Sequence, residues 1–282
     1  MTQNINEQVV ADFGQEWSQF DQSGVPIEEL RNTFEQYFSL FPWETLSPNA
    51  EGFDLGCGSG RWAYFCAPRV GKLHCIDPAI SALEVAEKKL SQLNNCIFHN
   101  AGVADLPLDD GSMDFAYSLG VLHHIPDSEE GLRQCARKLK PGAPFLVYLY
   151  YAFDNRPLWF KAVWRASDIL RRMISVLPYP LKYLASQAIA LFVYFPLSRF
   201  ARLLEALGLN VSHFPLSSYR AKSFYSLRTD ALDRFGTRLE KRFTKNQIEQ
   251  MMIQAGLERI EFRNQAPFWC SVGYRSASSD DR

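Results

Sequence analysis

The sequence predicts an α/β protein: a mostly parallel sheet of seven strands with helices on both faces. Three observations carry that expectation. Short apolar runs alternate with amphipathic stretches between residues 49 and 151, the pattern of repeated strand–helix–strand units. Residues 145–149 are continuously apolar, as a strand buried on both faces of a parallel sheet must be. A glycine-rich turn, Gly56-Cys57-Gly58-Ser59-Gly60, follows directly on the first apolar run.

The elements follow in order. In residues 1–48, Phe13, Trp17 and Phe20, then Leu30, Phe34, Tyr37 and Phe38, recur at helical spacing and give short helices one apolar face each. A turn at Ser47-Pro48-Asn49 leads to a strand at 52–55. Strands are expected at 72–76, 96–98, 113–117 and 145–149, and helices at 80–93 and 128–139, the latter stopped by Lys140-Pro141-Gly142. The alternation then breaks. Residues 152–243 are hydrophobic and helical in pattern, with several prolines and arginines, and read as an insertion after the fifth strand. A helix capped by Thr244 and ended by Gly256 resumes the core in 244–275, with strands at 257–262 and 268–274. Residues 276–282 form a polar tail.

Composition narrows the function. Of 282 residues, 47% are apolar and the formal charge is −1, which excludes a disordered chain and a general electrostatic field for nucleic acid. The six cysteines are scattered without metal-ligand spacing, so no metal site and a reducing, cytoplasmic setting are expected. The first residues lack the basic-then-apolar order of a secretory signal. The uncharged run between Lys182 and Arg199 contains Pro196 and falls short of the roughly 20 residues of a spanning helix, so a soluble protein is expected.

The chemistry concentrates at strand ends. The alternating glycines let the backbone turn sharply and approach a ligand closely, and a helix expected near Arg61 would aim its free N–H groups at the same place. Asp54, at the end of the first strand, can face an amino group. A dinucleotide site would instead carry GxGxxG and receive a pyrophosphate, which that carboxylate would repel. Asp77 ends the second strand at the distance suited to gripping ribose hydroxyls. Ser118, Leu119 and the pair His123-His124 follow the fourth. Cys57 reads as a small filler rather than a nucleophile, because nothing basic flanks it.

The segments FDLGCGSGRW, CIDP, ADLPLDDGSMDFAYS, LGVLHHIPD and ARKLKPGA, over roughly residues 50–150, resemble the successive motifs of the class I S-adenosylmethionine-dependent methyltransferases. FTKNQIEQMMIQAGLERIEF is similar to the closing helix and strand of the same Rossmann-like fold. FGQEW resembles bacterial small-molecule members with a helical N-terminal cover. The resemblance implies that Gly56, Cys57, Gly58 and Gly60 line the methionine part of S-adenosylmethionine, with Asp54 near its amine. It implies that Asp77 holds the ribose with Pro78 beside the adenine, that Gly102 and Val103 flank the adenine edge, and that Ser118 and Leu119 lie under the methionine. Many members carry Asp where this chain has Gly102, so that contact must come from Asp105, a carbonyl or water, or be missing. The product would be S-adenosylhomocysteine.

For catalysis, His123 has the appropriate ordinary pKa to act as base toward a hydroxyl acceptor. Tyr150 and Tyr151 could orient that acceptor. Trp17 and Phe20 are candidates either to close over the cationic donor or to be core residues. The insertion is expected to shape the acceptor pocket. Its basic residues outnumber its acids, and Trp159, Trp164, Leu170, Ile174 and Leu177 could line one helix face. That face fits either packing on the sheet, with the arginines in solvent, or a peripheral contact with an anionic membrane or lipid-linked substrate. The acceptor expected is thus a small molecule or lipid-like, not nucleic acid. A non-catalytic S-adenosylmethionine-binding regulatory protein is the alternative.

Overall fold

In the computed structural model, which describes residues 4–277, each apolar run read as a strand forms one. β1 (Glu51–Leu55), β2 (Lys72–Asp77), β3 (Cys96–Asn100), β4 (Phe115–Leu119), β5 (Pro144–Tyr148), β6 (Leu257–Phe262) and β7 (Ser271–Arg275) make a single sheet, ordered β3-β2-β1-β4-β5-β7-β6. The first five strands are parallel, and β7 enters antiparallel between β5 and β6. β4 lies two residues later than the sequence predicts. Asp114 leaves the ladder to accept the Glu51 N–H and pair with Lys140, whereas polar Ser118 stays in it by donating its hydroxyl to the Leu55 carbonyl. Residues 278–282 of the expected tail lie outside the described residues.

The helices are α1 (Glu7–Gln19), α2 (Ile27–Tyr37), α3 (Ala63–Cys66), α4 (Ile80–Lys89), α5 (Ser128–Lys138), α6 (Leu158–Ser175), α7 (Tyr179–Ile189), α8 (Phe195–Ala206), α9 (Phe224–Gly236) and α10 (Lys245–Gln254). Their starts are chemically marked. Asn6 accepts the Val9 N–H at α1, Asp127 accepts from Glu129 and Glu130 at α5, and Thr244 with Gln247 forms a reciprocal capping box at α10. α3 begins at Ala63, close to the start expected near Arg61, and is short: after four residues it gives way to a tighter turn at Pro68.

The chain divides into two compact units. The first comprises Met1–Asp21, Leu30–Ala152 and Leu239–Arg282; the second comprises Gln22–Glu29 and Phe153–Arg238. The first holds the sheet and two apolar cores. One gathers Phe53, Leu132, Phe145 and Ile248; the other gathers Phe115 and Tyr117 with the rings of Phe34, Phe38, Phe41 and Trp43, stacked or edge-on at 4.3–6.1 Å. The second unit is helical with a small core of its own around Ile174, Tyr194, Leu227 and Phe235.

Two expectations for the insertion are overturned. The run around Pro196 does not end at its flanking charges. α7 passes through a wide π turn at Ala190–Tyr194 into α8, giving one 28-residue helix, Tyr179–Ala206, long and apolar enough by length and composition to cross a membrane. The wide turn sits where Pro196 has no N–H to give, so the helix absorbs the proline instead of stopping. The apolar face drawn from Trp159 to Leu177 is also split, since Ile174 is buried whereas Trp159 and Leu170 are exposed.

Candidate functional site

The strand order reverses about β1, with β2 on one side and β4 on the other, so the carboxyl ends of these strands open a crevice where α/β sheets receive ligands. Asp54, the glycine loop, Asp77, Ser118 and Leu119 all arrive there. The loop is fixed by Gly56 and Cys57, whose N–H groups both donate to the Ile76 carbonyl (2.8 and 3.1 Å). Gly56 has φ of +74°, and a Cβ on it would stand 2.3 Å from Val121. Only glycine fits.

Asp77 does more than face a ligand. Its Oδ2 accepts the Gly58 N–H and its Oδ1 the Ala79 N–H, both at 2.9 Å, so this carboxylate clamps the loop to the end of β2. Burial raises its pKa to about 6, with those two N–H groups opposing. Asp54 is different. It is almost fully buried, its Oδ2 has no hydrogen-bond partner among the described residues, and desolvation pushes its carboxyl up to about 8, against the Tyr117 hydroxyl, which favours the charged form. A buried acceptor without a partner is costly unless a ligand completes it. Cys57 carries no nucleophile: Cys75 beside it favours the thiolate, yet burial lifts the thiol to about 11.

α1 roofs this crevice. Gly14 brings it against the start of α4, where a Cβ would come within 2.6 Å of Ser81 Oγ. One turn on, the indole of Trp17 lies against Gly58, 3.0 Å from where a Cβ would be, and the Arg61 guanidinium sits over its ring at 5.2 Å. Phe20 is a buried core residue, so of the two aromatic candidates only Trp17 reaches the loop. Gly102 has ordinary extended geometry with Ile5 beside it, Val103 is buried and Pro78 half-buried. Asp105 is exposed.

The histidine pair occupies a turn before α5, closed by His124 N–H to the Val121 carbonyl, rather than the start of the helix. His124 Nδ1 lies 2.6 Å from the Leu239 carbonyl. The His123 ring is fully buried and stacks on Tyr150, centroids 3.8 Å apart. Neither of its nitrogens has a partner among the described residues, and burial holds its pKa well below the usual histidine value. Phe13 of α1 packs on His124 at 5.0 Å.

What sequence reasoning missed is the wall behind this pair. Residues 239–243 return to the sheet there: Lys241 N–H donates to the His123 carbonyl, Phe243 N–H to the Tyr150 carbonyl, and the Arg242 guanidinium covers the Tyr150 ring. The signal was the charged run LEKRF beside an insertion boundary, which marks no chemistry by itself.

Residues 53–147 match the family described as methyltransferase domain. Residues 53–147 are thus similar to methyltransferase domains, and the sheet around them has the strand order of the Rossmann-like class I methyltransferase fold. Curated relatives of the domain include sterol 4-C-methyltransferase strm-1 of Caenorhabditis elegans, 30% identical over 36% of this chain and 32% of that protein. Demethylmenaquinone methyltransferase of Lactiplantibacillus plantarum is 30% identical over 43% of this chain and 52% of that protein. The matches therefore span a third to a half of those relatives. A chain from the solved complex of the Haloferax volcanii Trm112 methyltransferase activator shares the fold, at TM-score 0.52 and 13% identity over 96% of this chain and 99% of that one. The matched stretch contains the whole glycine loop, Asp54, Asp77 and the histidine pair, and the residues fit the cofactor such domains use: a tight glycine cradle, a buried carboxyl with one oxygen lacking a hydrogen-bond partner among the described residues, and an acidic strand end beside it.

Proposed function

We propose that this chain transfers a methyl group from S-adenosylmethionine to a small-molecule or lipid-like acceptor, releasing S-adenosylhomocysteine. The observation that carries this reading is Asp54, a buried carboxyl at the glycine loop with an oxygen awaiting a cation. The cofactor's ammonium group supplies that cation. Gly56, Cys57, Gly58 and Gly60 cradle the methionine portion, Asp77 receives the ribose through its remaining lone pairs, and Trp17 closes the loop from above.

The cofactor brings a methyl group already activated on a sulfonium, so the protein's tasks are placement and proton management. His123 receives the proton that a hydroxyl acceptor must lose. Burial keeps the imidazole neutral and therefore able to accept it. Tyr150, stacked on the ring, fixes its plane. A lipid-like acceptor is supported by the names of the relatives, which act on a sterol and on demethylmenaquinone.

The test is calorimetric titration with S-adenosylmethionine and S-adenosylhomocysteine, followed by assay of S-adenosylhomocysteine release over hydroxylated small molecules, sterols and quinols. Binding weakened at least ~10-fold but still measurable in Asp54→Asn, with turnover on at least one acceptor reduced about 10²–10⁴-fold in His123→Ala, is the expected result. Binding without turnover across the panel would favour a regulatory S-adenosylmethionine-binding protein. No binding by folded protein overturns the reading.

A further inference from the structure

The second unit is built inside out. Among the described residues it exposes nineteen large apolar side chains and buries only ten apolar ones, whereas the larger first unit exposes four. α6 shows the inversion along one helix. Its buried side carries Asp168, Arg171 and Ser175 beside a single large apolar residue, Ile174, with Arg171 bonded to Asp168 at 2.6 Å and to the Thr237 carbonyl at 2.9 Å. Its exposed side carries Trp159, Val163, Ile169, Met173 and Val176 at helical spacing. The helix Tyr179–Ala206 repeats the pattern, burying Lys182, Ser186 and Ser198 while Leu184, Leu191, Phe192, Phe195 and Leu203 face outward. Water does not select such a surface. A contiguous exposed apolar face of this kind marks an interaction site.

We propose that the second unit docks on an anionic lipid bilayer, with the exposed faces of α6 and of the Tyr179–Ala206 helix lying in its interface. Charge identifies the occupant. The second unit holds thirteen Lys and Arg against seven Asp and Glu, a net +6 in a chain whose formal charge is −1. Three of those acids are committed to ion pairs: Asp168 with Arg171 and Arg172, Glu205 with Arg220, and Asp230 with Lys222. Arg165 and Arg202 stand exposed on the same helices as the apolar side chains. A second copy of this face would bring two such positive surfaces together, whereas an anionic headgroup layer is attracted to it.

The long helix lies in the membrane plane rather than across it. Lys182 Nζ donates to the Gly236 carbonyl at 3.2 Å, Arg199 donates to the carbonyls of Arg220 and Lys222 at 2.9 and 3.0 Å, and Arg228 donates to the Tyr183 hydroxyl at 2.9 Å. One side is thus tied by polar contacts to its own unit, which suits a helix with one face in lipid and the other in water.

The experiment is flotation of the full chain with phosphatidylcholine vesicles, with and without phosphatidylglycerol. Two variants accompany it: Ile169→Glu/Met173→Glu, at positions each 65% exposed, and Arg165→Ser/Arg202→Ser. Cofactor binding, read by calorimetry, should be unchanged in both and reports that the protein is folded. We expect at least a ~10-fold preference for anionic vesicles that fades with salt, lost in the arginine variant, and at least ~10-fold weaker association with either vesicle in the glutamate variant. Failure of the wild-type chain to float with either vesicle overturns the proposal. So does flotation indifferent to both substitutions, or a dimer that the glutamate variant dissociates, which would give the face to a second copy.

Discussion

At the scale of single residues, Asp54 makes the sharpest prediction. The folded chain holds its carboxyl near pKa 8, against 3.8 as the ordinary value, because burial disfavours the charge. The folded state therefore keeps a proton that the unfolded state releases, and Asp54's contribution to stability is full at low pH and is lost as pH rises toward 8. An ammonium group beside it reverses the balance. Binding of S-adenosylmethionine at about pH 7 should release close to one proton, seen as a dependence of the calorimetric heat on the buffer's ionisation enthalpy, and Asp54→Asn should abolish it. For His123 the shift is downward, so the acid limb of the rate profile should fall below the ordinary value of about 6.5, and a profile centred at or above that value would remove His123 as the base. Gly102 makes a third test. Its φ is −92° and a Cβ there would meet only Ile5, at 3.5 Å, so Gly102→Asp should fold normally and tighten cofactor binding by restoring the adenine contact. The glycine loop and the strand-end acids were legible in sequence because the backbone forces their type: glycine where φ is positive, Asp where a strand ends. His123 was legible as a residue but not as a setting, since the wall formed by residues 239–243 comes from more than a hundred positions away.

At the scale of elements, the helices were legible where their ends carry side-chain chemistry. The Thr244–Gln247 box fixes the start of α10, which delivers Ile248 and Met252 fully buried to the core. Thr244→Ala should cost about 1 kcal/mol, read as a melting temperature about 2–4 °C lower with cofactor affinity unchanged. The start of α3 was legible from the glycine loop, whereas its length is set by Pro68, which ends it within two turns. The helices of the second unit were found by their periodicity but turned the wrong way. A repeat every three or four residues says that one face is apolar. It does not say whether that face meets protein or something else, and in α6 the residues read as one face divide, Ile174 buried and Trp159 and Leu170 open.

At the scale of the whole molecule, the three apolar cores do not mix. No residue of the two cores that flank the sheet comes from 153–238, and the third core lies wholly within that span. The insertion also leaves and rejoins the sheet at one place, where Ala152 N–H donates to the Phe243 carbonyl at 2.8 Å and Tyr151 pairs with Phe243. A short flexible linker in place of residues 154–238 would therefore close a gap already held by backbone hydrogen bonds, while residues 239–243 stay to seal His123. Such a chain should fold, bind S-adenosylmethionine within about threefold of the parent and release the same proton, since every group assigned to the cofactor belongs to the retained unit. It should lose all vesicle association, because the basic and apolar surface has gone. Retained flotation would move the membrane contact to the first unit. Loss of cofactor binding in a folded, trimmed chain would show that the helical unit completes the donor site as well.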